Sequence, residues 1–362
     1  MRINFARLCD FRNIELSEAS FSSKSVWIHG QNAQGKTNLL EALGLLCAFR
    51  SFRTSKAASL IRKSKACAKL LFEISHEVLG DCEVVLELGE KSKKIFVNES
   101  ECKSLAEFIG EFPVMALCSE DIKLVRGGPA ERRKFVDMLI SGLDADYFRR
   151  LRAYHAALNQ RNALLKQGSF DEVLMDVLEA QMANAAVSIN GIRDKYLKAL
   201  GGIATKKYKI LSSERESAAV VFKSAQLNLS EADYSELLKS SRARDAALGS
   251  TSAGPHRDDF LILVAGASAR DFASEGQQRS VVLSLKLAQC EMSKLAKNAL
   301  PVLLCDDILG ELDSDRRRAF WSCVDGEAQI FASSTSPAPE SYGLRESWQS
   351  IEVCGGNFKM ES

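Results

Sequence analysis

The segment GQNAQGKT at residues 30–37 combines residue types that can grip phosphate groups. Gly30 and Gly35 allow the backbone to bend so that successive N–H groups point inward, at the start of a helix whose dipole favours anions. The ammonium of Lys36 would reach the β- and γ-phosphates, and the hydroxyl of Thr37 would bind Mg²⁺. The pattern Gly-x-x-x-x-Gly-Lys-Ser/Thr therefore predicts a nucleoside triphosphate site. Its predicted residues are Gly30, Gln31, Asn32, Ala33, Gln34, Gly35, Lys36 and Thr37.

A second candidate element is the pair of carboxylates, Asp306 and Asp307, that follows the apolar run at residues 302–305. An apolar strand that ends in acids commonly completes such a site, because it brings a carboxylate to the metal beside the phosphates. Asp306 is predicted to hold Mg²⁺ through water, and Asp307 to orient or deprotonate the attacking water. We therefore predict Lys36 and Asp307 as catalytic residues, and Thr37 with Asp306 as the metal side of the site.

The segment SEGQ at residues 274–277 has the residue types of a further phosphate contact. It precedes a run of apolar residues with helical spacing, so Ser274 is predicted at a helix N-terminus, where N–H groups and the dipole suit a γ-phosphate. Alone, this segment indicates no more than a capped helix. A last acid, Asp313, closes the segment DDILGELD that begins with the carboxylate pair.

In the order in which they occur, these elements resemble the P-loop, signature segment, Walker B strand and D-loop of ABC-type ATPases. In such heads the signature segment caps the ATP that is bound by a second copy. The resemblance therefore implies ATP and Mg²⁺ as cofactors and an ATP-dependent homodimer. It places Ser274, Gly276 and Gln277 at the partner's ATP, in trans, and Asp313 in the D-loop.

Apolar periodicity predicts the elements that position these residues. The run before Gly30 predicts a buried strand, residues 37–49 predict an amphipathic helix, and residues 125–210 read as helical. The predicted fold class is α/β, an ABC-type P-loop ATPase head built from both chain ends with an inserted helical lobe. The predicted domains are 1–118 (head, with the P-loop), 119–249 (mainly helical lobe) and 250–362 (head, with the signature, Walker B and D-loop).

Composition limits the class of protein. With 362 residues, of which 46% are hydrophobic and 26% charged, the chain can form two ordinary globular domains. It has no apolar leader and no run of about 18 apolar residues, so we expect a cytoplasmic protein without membrane contact and exclude an integral transporter. Ten cysteines without a C-x-x-C pair, beside only four histidines, predict reduced thiols rather than a zinc site.

The formal net charge of +1 conceals three basic clusters, the smallest of which is KKYK at residues 206–209. Residues 50–69 contain seven basic residues and no acid, and residues 123–166 contain ten basic and four acidic residues. Such clusters indicate either a DNA-binding surface or a solvated face, and charge alone leaves both interpretations open. The residues predicted to contact DNA are Arg50, Arg53, Arg62, Lys63 and Lys65.

Longer blocks of the sequence resemble the RecF family of bacterial recombination mediators. The blocks are DFRN (10–13), GQNAQGKTNLLEAL (30–43), SFRT (51–54), GGPAERRKFVD (127–137), NQRNALLK (159–166), GPHRDDF (254–260) and SEGQQRSVVLSLKLA (274–288). They extend over nearly the whole chain in the family's order. The resemblance implies a cytoplasmic ATPase, with a head similar to those of SMC proteins, that dimerises on double-stranded and gapped DNA without sequence specificity. With RecR and RecO such a protein helps to load RecA, and weak, DNA-stimulated ATP hydrolysis resets the dimer.

The sequence departs from the ABC pattern in three places. Residues 117–125 contain no glutamine for a Q-loop, which leaves Glu120 or Asp121 as a candidate to sense the metal. An aspartate, as in RecF-like proteins, replaces the usual glutamate after Asp306, and this shorter side chain predicts slow turnover. The switch histidine is absent, and Ser334 or Thr335 stands near its position.

Two other classes of P-loop protein fit the sequence less well. A P-loop kinase would need an acceptor pocket and no signature helix, and a transporter ATPase subunit would normally carry the Q-loop glutamine and the switch histidine. An ABC-type ATPase that couples ATP-driven dimerisation to a partner other than DNA stays open as the alternative. His256, with Arg257 and Asp258, is predicted to fix local packing rather than to perform catalysis.

Overall fold

The computed structural model describes residues 1–54, 56–167, 171–213, 216–338 and 347–360. Within these ranges it describes every side chain except those of Leu309 and Glu311. In these ranges the strands are β1 (Arg2–Phe11), β2 (Ile14–Ser20), β3 (Ser25–His29), β4 (Cys67–His76), β5 (Gly80–Gly89), β6 (Lys93–Val97), β7 (Ser100–Glu101), β8 (Val114–Cys118), β9 (Ala218–Lys223), β10 (Asp259–Val264), β11 (Ala267–Ser268), β12 (Val302–Asp306), β13 (Ile330–Ser334), β14 (Gln349–Cys354) and β15 (Asn357–Met360). The helices are α1 (Lys36–Ala48), α2 (Leu105–Phe108), α3 (Lys123–Arg126), α4 (Pro129–Leu143), α5 (Ala145–Gln167), α6 (Glu172–Leu211), α7 (Glu231–Ser240), α8 (Arg242–Leu248), α9 (Ala269–Phe272), α10 (Glu275–Lys297) and α11 (Ser314–Cys323).

Contacts divide the chain into two compact units. The head unit consists of Met1–Ile122, Lys206–Glu216 and Arg279–Ser362, and the helical unit of Lys123–Thr205 and Ser217–Gln278. The predicted domain limits, after residues 118 and 249, stay predictions. In the described ranges, no helix is both long enough and apolar enough to span a bilayer.

The head unit contains two six-stranded sheets. One is antiparallel, with the order β2-β1-β4-β5-β6-β7, and the other has the order β15-β14-β3-β13-β12-β8. In the second sheet β14, β3, β13, β12 and β8 are parallel, and β15 is an antiparallel edge. The carboxyl ends of parallel strands share one edge of a sheet. This topology therefore brings the loop after β3, the acids that end β12 and the end of β13 to the same edge.

Buried side chains on both faces of the parallel sheet fix that edge in place. On one face, Ile28 and Leu304 belong to a core that includes the buried leucines of α1. On the other face, Trp27 and Leu303 belong to a second core that includes residues of α10 and α11. Neighbouring residues of a strand point to opposite faces, so the apolar strands can be buried on both sides, as predicted from their continuous apolar runs.

The helical unit combines helices with a small antiparallel sheet of order β11-β10-β9. The prediction of helix between residues 125 and 210 is confirmed by α4, α5 and α6. Its interior contains two arginines, Arg161 and Arg193, whose side chains are only 0% and 3% exposed. Carboxylates pair with both, which is the usual condition for burying a charge.

Candidate nucleotide-binding site

The loop between β3 and α1 has the backbone shape that a phosphate-binding loop requires. Gly30 and Gly35 have φ values of +142° and +121°, which side-chain-bearing residues rarely adopt. A Cβ atom on Gly30 would also lie 2.4 Å from the carbonyl oxygen of Val353 in β14. Since α1 begins at Lys36, the N–H groups of the loop lie at a helix N-terminus, as predicted for an anion site.

The ammonium of Lys36 lies inside this loop. Its Nζ donates hydrogen bonds to the carbonyl oxygens of Gly30 at 2.7 Å and Gln31 at 3.1 Å. Residue 36 is 5% exposed, so the charge is held where the bend of the backbone surrounds it. A charge that is already desolvated and positioned can stabilise phosphate oxygens without first being ordered.

The metal side of the site is assembled from two strands, β12 and β13, and the helix α1. The Thr37 hydroxyl donates to Asp306 Oδ1 at 2.9 Å, and the Ser333 hydroxyl donates to the same oxygen at 2.9 Å. Ser333 also accepts a hydrogen bond from the main-chain N–H of Asp307 at 3.0 Å. The sequence predicted the meeting of Thr37 and Asp306 but missed Ser333, which immediately precedes the two residues considered for the switch position.

These donors fit Mg²⁺, which prefers oxygen ligands from few carboxylates and leaves places for phosphate and water. Thr37 and Asp306 would hold the ion, with Ser333 fixing the carboxylate. When bound, Mg²⁺ would neutralise charge on the phosphate oxygens. The chemistry of the donor set thus agrees with the predicted cofactor.

Asp307 has an unusual backbone. Its φ and ψ are 55° and −1°, in the left-handed region, where aspartate is among the few side-chain-bearing residues that are tolerated. Residues in such conformations cluster at functional sites. The residue is exposed and lines the cavity over the loop, and its role as the carboxylate that activates water stays a prediction.

That cavity has a volume of about 310 Å³. It contains five of the eight residues predicted to bind the nucleotide, together with Asp307, two asparagines that the sequence reasoning missed, and an arginine assigned to DNA. The lining residues are Asn13, Asn32, Ala33, Gly35, Lys36, Thr37, Asn38, Arg53 and Asp307.

The remaining predicted loop residues support the loop rather than line the cavity. The main-chain oxygen of Gln34 accepts hydrogen bonds from Gly356 N at 2.9 Å and Asn13 Nδ2 at 3.1 Å. Its side-chain Oε1 accepts from Gly355 N at 2.6 Å. The turn between β14 and β15, near the C-terminal end of the chain, therefore holds the loop through hydrogen bonds. No motif in the sequence predicts this contact.

The signature segment forms the start of α10 in the helical unit. Ser274 Oγ accepts a hydrogen bond from Gln277 N at 3.3 Å, and Ser274 N donates to Gln277 Oε1 at 2.6 Å. This reciprocal cap confirms the predicted helix N-terminus. In this cap the serine oxygen accepts through a lone pair, so the bond to Gln277 N does not use the hydroxyl proton. The action of Ser274, Gly276 and Gln277 in trans stays a prediction.

The predicted D-loop aspartate begins another helix. Asp313 is the N-cap of α11, and its carboxylate accepts from Arg316 N at 2.8 Å and from Arg316 Nη1 at 2.9 Å. The candidate metal sensor Asp121 pairs with Lys286, whose Nζ lies 2.8 Å from Oδ1, and its role as a sensor stays a prediction. Cys118 N donates to the other oxygen of Asp121 at 2.9 Å, so this carboxylate anchors the end of β8.

Within the helical unit, His256 has a packing role, as predicted. Its two ring nitrogens lie 2.7 Å from the Tyr154 hydroxyl and 3.0 Å from the carbonyl oxygen of Thr251. Burial lowers its pKa to about 4, and the neighbouring charges of Arg257 and Arg133 contribute to that shift. Its contacts are with Tyr154 and Thr251 rather than with the Asp258 carboxylate.

The residues predicted to bind DNA differ in how they are held. Arg50 and Lys63 are exposed. Arg62 pairs with Glu15 at 2.8 Å and with Asp10 at 3.6 Å, and Lys65 pairs with Asp10 at 3.4 Å. The acids that partly neutralise this surface come from β1 and β2, which the composition of residues 50–69 alone could not reveal.

Comparisons with known proteins agree with this architecture. No family model matches the chain. A DNA replication and repair protein RecF of Lactobacillus johnsonii is 35% identical over 91% of this chain and 91% of the relative. RecF of Bacillus cytotoxicus is 34% identical over 100% of this chain and 99% of the relative.

Solved structures give the same result for the fold. A structure of the recombination mediator protein RecF with ATP, in the RecFOR pathway, has a TM-score of 0.90 at 30% identity and covers 99% of this chain and 97% of its own. The Smc head domain of Pyrococcus furiosus bound to the C-terminal domain of ScpA has a TM-score of 0.54 at 15% identity, with 99% and 95% covered. The predicted ABC-type head with an inserted helical lobe is therefore confirmed, and the chain belongs to the RecF family.

Proposed function

We propose that this protein is an ATP-dependent, sequence-independent DNA-binding protein that dimerises on DNA at single-strand gaps. In this proposal it acts in the cytoplasm with RecR and RecO to promote RecA loading in recombinational repair and replication restart. The observation that carries the proposal is the meeting of Thr37 Oγ1 with Asp306 Oδ1 at 2.9 Å, beside the buried Lys36 ammonium. A hydroxyl, a carboxylate and an ammonium converging at a helix N-terminus suit a magnesium-bound triphosphate.

ATP hydrolysis in this proposal is weak and DNA-stimulated, and it serves to reset the dimer. Lys36 binds the phosphates, and Asp307 orients or deprotonates the attacking water. The aspartate reaches less far than the glutamate usual in ABC-type heads, which favours slow turnover. A slow hydrolysis step suits a switch, because the bound state must last long enough for partners to assemble.

The dimer is proposed to form through the signature segment. Ser274 caps α10 with a lone pair and keeps its proton for a phosphate of the second copy. Each such charge-assisted contact contributes about 1.5–3 kcal/mol. A twofold arrangement forms the contact twice, which is enough to make dimerisation depend on ATP.

The alternative partner has one observation in its favour. Asp10 and Glu15 pair with Arg62 and Lys65, so part of the basic surface is already neutralised within the head unit. If these pairs persist, the ATP-driven dimer would act on a partner other than DNA. Sedimentation with nucleotide and DNA separates the two functions.

The test is sedimentation velocity of the protein alone, with ATP, and with ATP plus a gapped duplex. Wild type is expected to remain monomeric alone, to dimerise with ATP, and to sediment as a dimer on the gapped duplex. Ser274→Arg should bind ATP but stay monomeric, because a bulky cation would occupy the place of the partner's phosphate. Ser322→Arg, which adds the same group at an exposed position of α11, is the matched control and should dimerise.

Mixing decides whether the signature acts in trans. Ser274→Arg and Lys36→Ala protomers should each fail to dimerise alone, yet together they can form one intact composite site. Heterodimers that appear only with ATP in the mixture support the proposal. ATP-driven dimerisation by Ser274→Arg alone contradicts the trans contact. Dimers that form with ATP but do not bind the gapped duplex favour the alternative partner.

A further inference from the structure

Gln278 is the second glutamine of the segment SEGQQ, and the residue is only 7% exposed. Its Nε2 donates to the carbonyl oxygens of Ala269 and Ala273, both at 3.1 Å. Its Oε1 accepts a hydrogen bond from Nε of Arg126 at 2.7 Å. Both sides of the buried amide are therefore bonded within the helical unit, which is the usual condition for burying such a group.

The peptide group that joins Ala273 to Ser274 is held at both of its polar atoms. Its carbonyl oxygen, on Ala273, accepts from Gln278 Nε2. Its N–H, on Ser274, donates to Gln277 Oε1 at 2.6 Å. Because a peptide group is planar, bonds to its two polar atoms fix the orientation of the plane. The backbone that leads into Ser274 is therefore set by two consecutive glutamine side chains.

The bond to Ala269 fixes the chain one turn earlier. The helix α9 is a single turn, which has little stability of its own. Its first residue, Ala269, is 0% exposed and accepts from Gln278 through its carbonyl oxygen. The segment that precedes Ser274 thus has a buried anchor at one end and the fixed peptide group at the other.

Arg126, in α3, determines which way the Gln278 amide faces. A guanidinium only donates, so the amide oxygen must face Arg126 and the NH₂ group must face the two carbonyl oxygens. Arg126 also places Nη2 at 3.5 Å from Oε1 of Glu275, in the first turn of α10. The two side chains are 48% and 63% exposed. The same arginine therefore offsets a negative charge beside a helix N-terminus to which a phosphate is proposed to bind.

We propose that Gln278 and Arg126 are positioning residues that preset the signature segment for the nucleotide of the second copy. Gln278 fixes the peptide group before Ser274, and Arg126 fixes the orientation of the Gln278 amide. The turn is then already ordered in the single protomer, so dimerisation has no cost of ordering it. This inference rests on the proposed action of Ser274 in trans and deepens it, because it assigns residues that act through the serine.

A double-mutant cycle tests whether Gln278 acts through Ser274, with dimer affinity measured by sedimentation equilibrium in AMP-PNP and Mg²⁺. Gln278→Met keeps the length of the side chain and removes the amide. It should weaken the dimer about 25-fold, on the order of fivefold for each copy, because a symmetric dimer uses the turn twice. In the Ser274→Ala background the same change should weaken the dimer less than about threefold. Gln181→Met, at an exposed position of α6, is the matched control.

A second cycle separates the orientation of the amide from the offset of charge. Arg126→Met should weaken the dimer about fivefold, and it should still do so in the Glu275→Gln background, where residue 275 has no charge to offset. An effect that disappears in that background would make Arg126 a charge partner of Glu275 only, which overturns its role at Gln278. Because Arg126 is partly exposed, this variant also decides the matter if Gln278→Met does not fold.

Nucleotide binding by the single protomer is the control for a general loss of structure. In the Ser274→Arg background, which is expected to stay monomeric, Gln278→Met should leave the affinity for fluorescent mant-ATP unchanged. A loss of that affinity, or equal weakening of the dimer with and without the Ser274 hydroxyl, would show a purely structural role and overturn the inference. If the wild type does not dimerise with AMP-PNP, the proposed function fails. If it dimerises and both variants dimerise equally well, only this inference fails.

Discussion

The helical unit and the head unit hold their arginines in contrasting ways. Arg161 in the helical unit is 0% exposed and donates to Glu179, Asp245, a hydroxyl and a carbonyl oxygen at 2.8–3.0 Å. Arg53 in the head unit is 39% exposed, and its contacts with Asn38 and Glu41 are 3.1 and 3.5 Å long. A buried charge with its donors satisfied is locked in place, whereas a loosely held one can pass to a ligand.

The contrast separates two kinds of sequence motif. The block NQRNALLK contains Arg161 and the block GPHRDDF contains His256, and both residues are committed to contacts inside the helical unit. Gly254 in the second block leaves no room for a Cβ atom, which would lie 2.2 Å from the Tyr154 hydroxyl. These blocks therefore specify the packing of the helical unit, while the blocks around the P-loop specify chemistry.

The largest effect on stability is expected from removing Arg161, the buried arginine of the helical unit. Arg161→Met should destabilise the protein by about 3–5 kcal/mol, because Asp245 and Glu179 lose a cation they share in the interior. Arg149→Met, on an exposed part of α5, should cost less than about 1 kcal/mol. Urea unfolding followed by circular dichroism measures both. A small effect for Arg161 would mean that Arg242 can hold Glu179 alone and that Ser241 and Ser252 satisfy Asp245.

Lys36 is the other cation of the head unit's cavity. Removing it is expected to weaken ligand binding and to leave the stability of the protein almost unchanged. Lys36→Ala should weaken ATP binding by about ten- to a hundredfold, as one or two charge-assisted contacts are lost, and leave unfolding by urea within about 1 kcal/mol of wild type. Its present partners are main-chain oxygens of an exposed loop, which water can satisfy. Lys91→Ala, at an exposed position, is the matched control. Native ATP affinity in Lys36→Ala would contradict the site.

Sequence patterns predicted those contacts of the site that follow from the order of the strands and motifs along the chain. The P-loop follows β3 and the acids end β12, so parallel pairing alone requires Thr37 and Asp306 to meet. The contacts of Glu41 were not predictable in that way, because Arg12 lies 29 residues earlier and no period links them. One signal was available. An acid among the buried leucines of α1 must find a positive partner, although the sequence does not say which one.

The same limit applies to Ser333 and to the locked arginines. Ser333 lies near the end of a buried strand, where the sequence gives no sign that a serine has a role in the site. Its role follows from the register that places β13 beside β12. Arg161 and Asp245 are separated by 84 residues, so their pairing depends on how the helices pack. Basic residues inside an amphipathic helix ordinarily predict a solvated face, and packing overrides that expectation here.

A smaller effect on the free energy of unfolding is expected when the pH is lowered and His256, in the helical unit, becomes protonated. Its pKa is lowered from 6.5 to about 4 in the folded state, so the folded protein binds fewer protons than the unfolded chain between these values. The neutral ring therefore contributes its full stability above pH 6.5, and this contribution is lost as the pH falls toward 4. Between pH 7 and pH 5 the loss should be about 1–2 kcal/mol.

The measurement is the free energy of unfolding in urea at pH 7 and pH 5, for wild type and His256→Asn. Wild type should lose about 1–2 kcal/mol more than the variant over this interval, since asparagine does not titrate. An equal loss in both proteins would show that the ring protonates without disturbing its bonds to Tyr154 and Thr251. The locked character of this region would then not extend to its histidine.

The smallest effect is expected at the basic segment, where exposed and paired cations alternate. Each phosphate that a protein neutralises adds about −0.9 to the slope of log affinity against log salt concentration. Lys63 is exposed, so Lys63→Ala should flatten the slope by nearly that amount, whereas Arg62→Ala should change it less, because Glu15 and Asp10 already pair with Arg62. Fluorescence anisotropy of a labelled duplex at several salt concentrations gives both slopes, with Lys91→Ala as the control. Equal flattening by the two variants would mean that DNA draws Arg62 away from its acids. An unchanged slope in both would move the DNA surface to the basic cluster of residues 123–166.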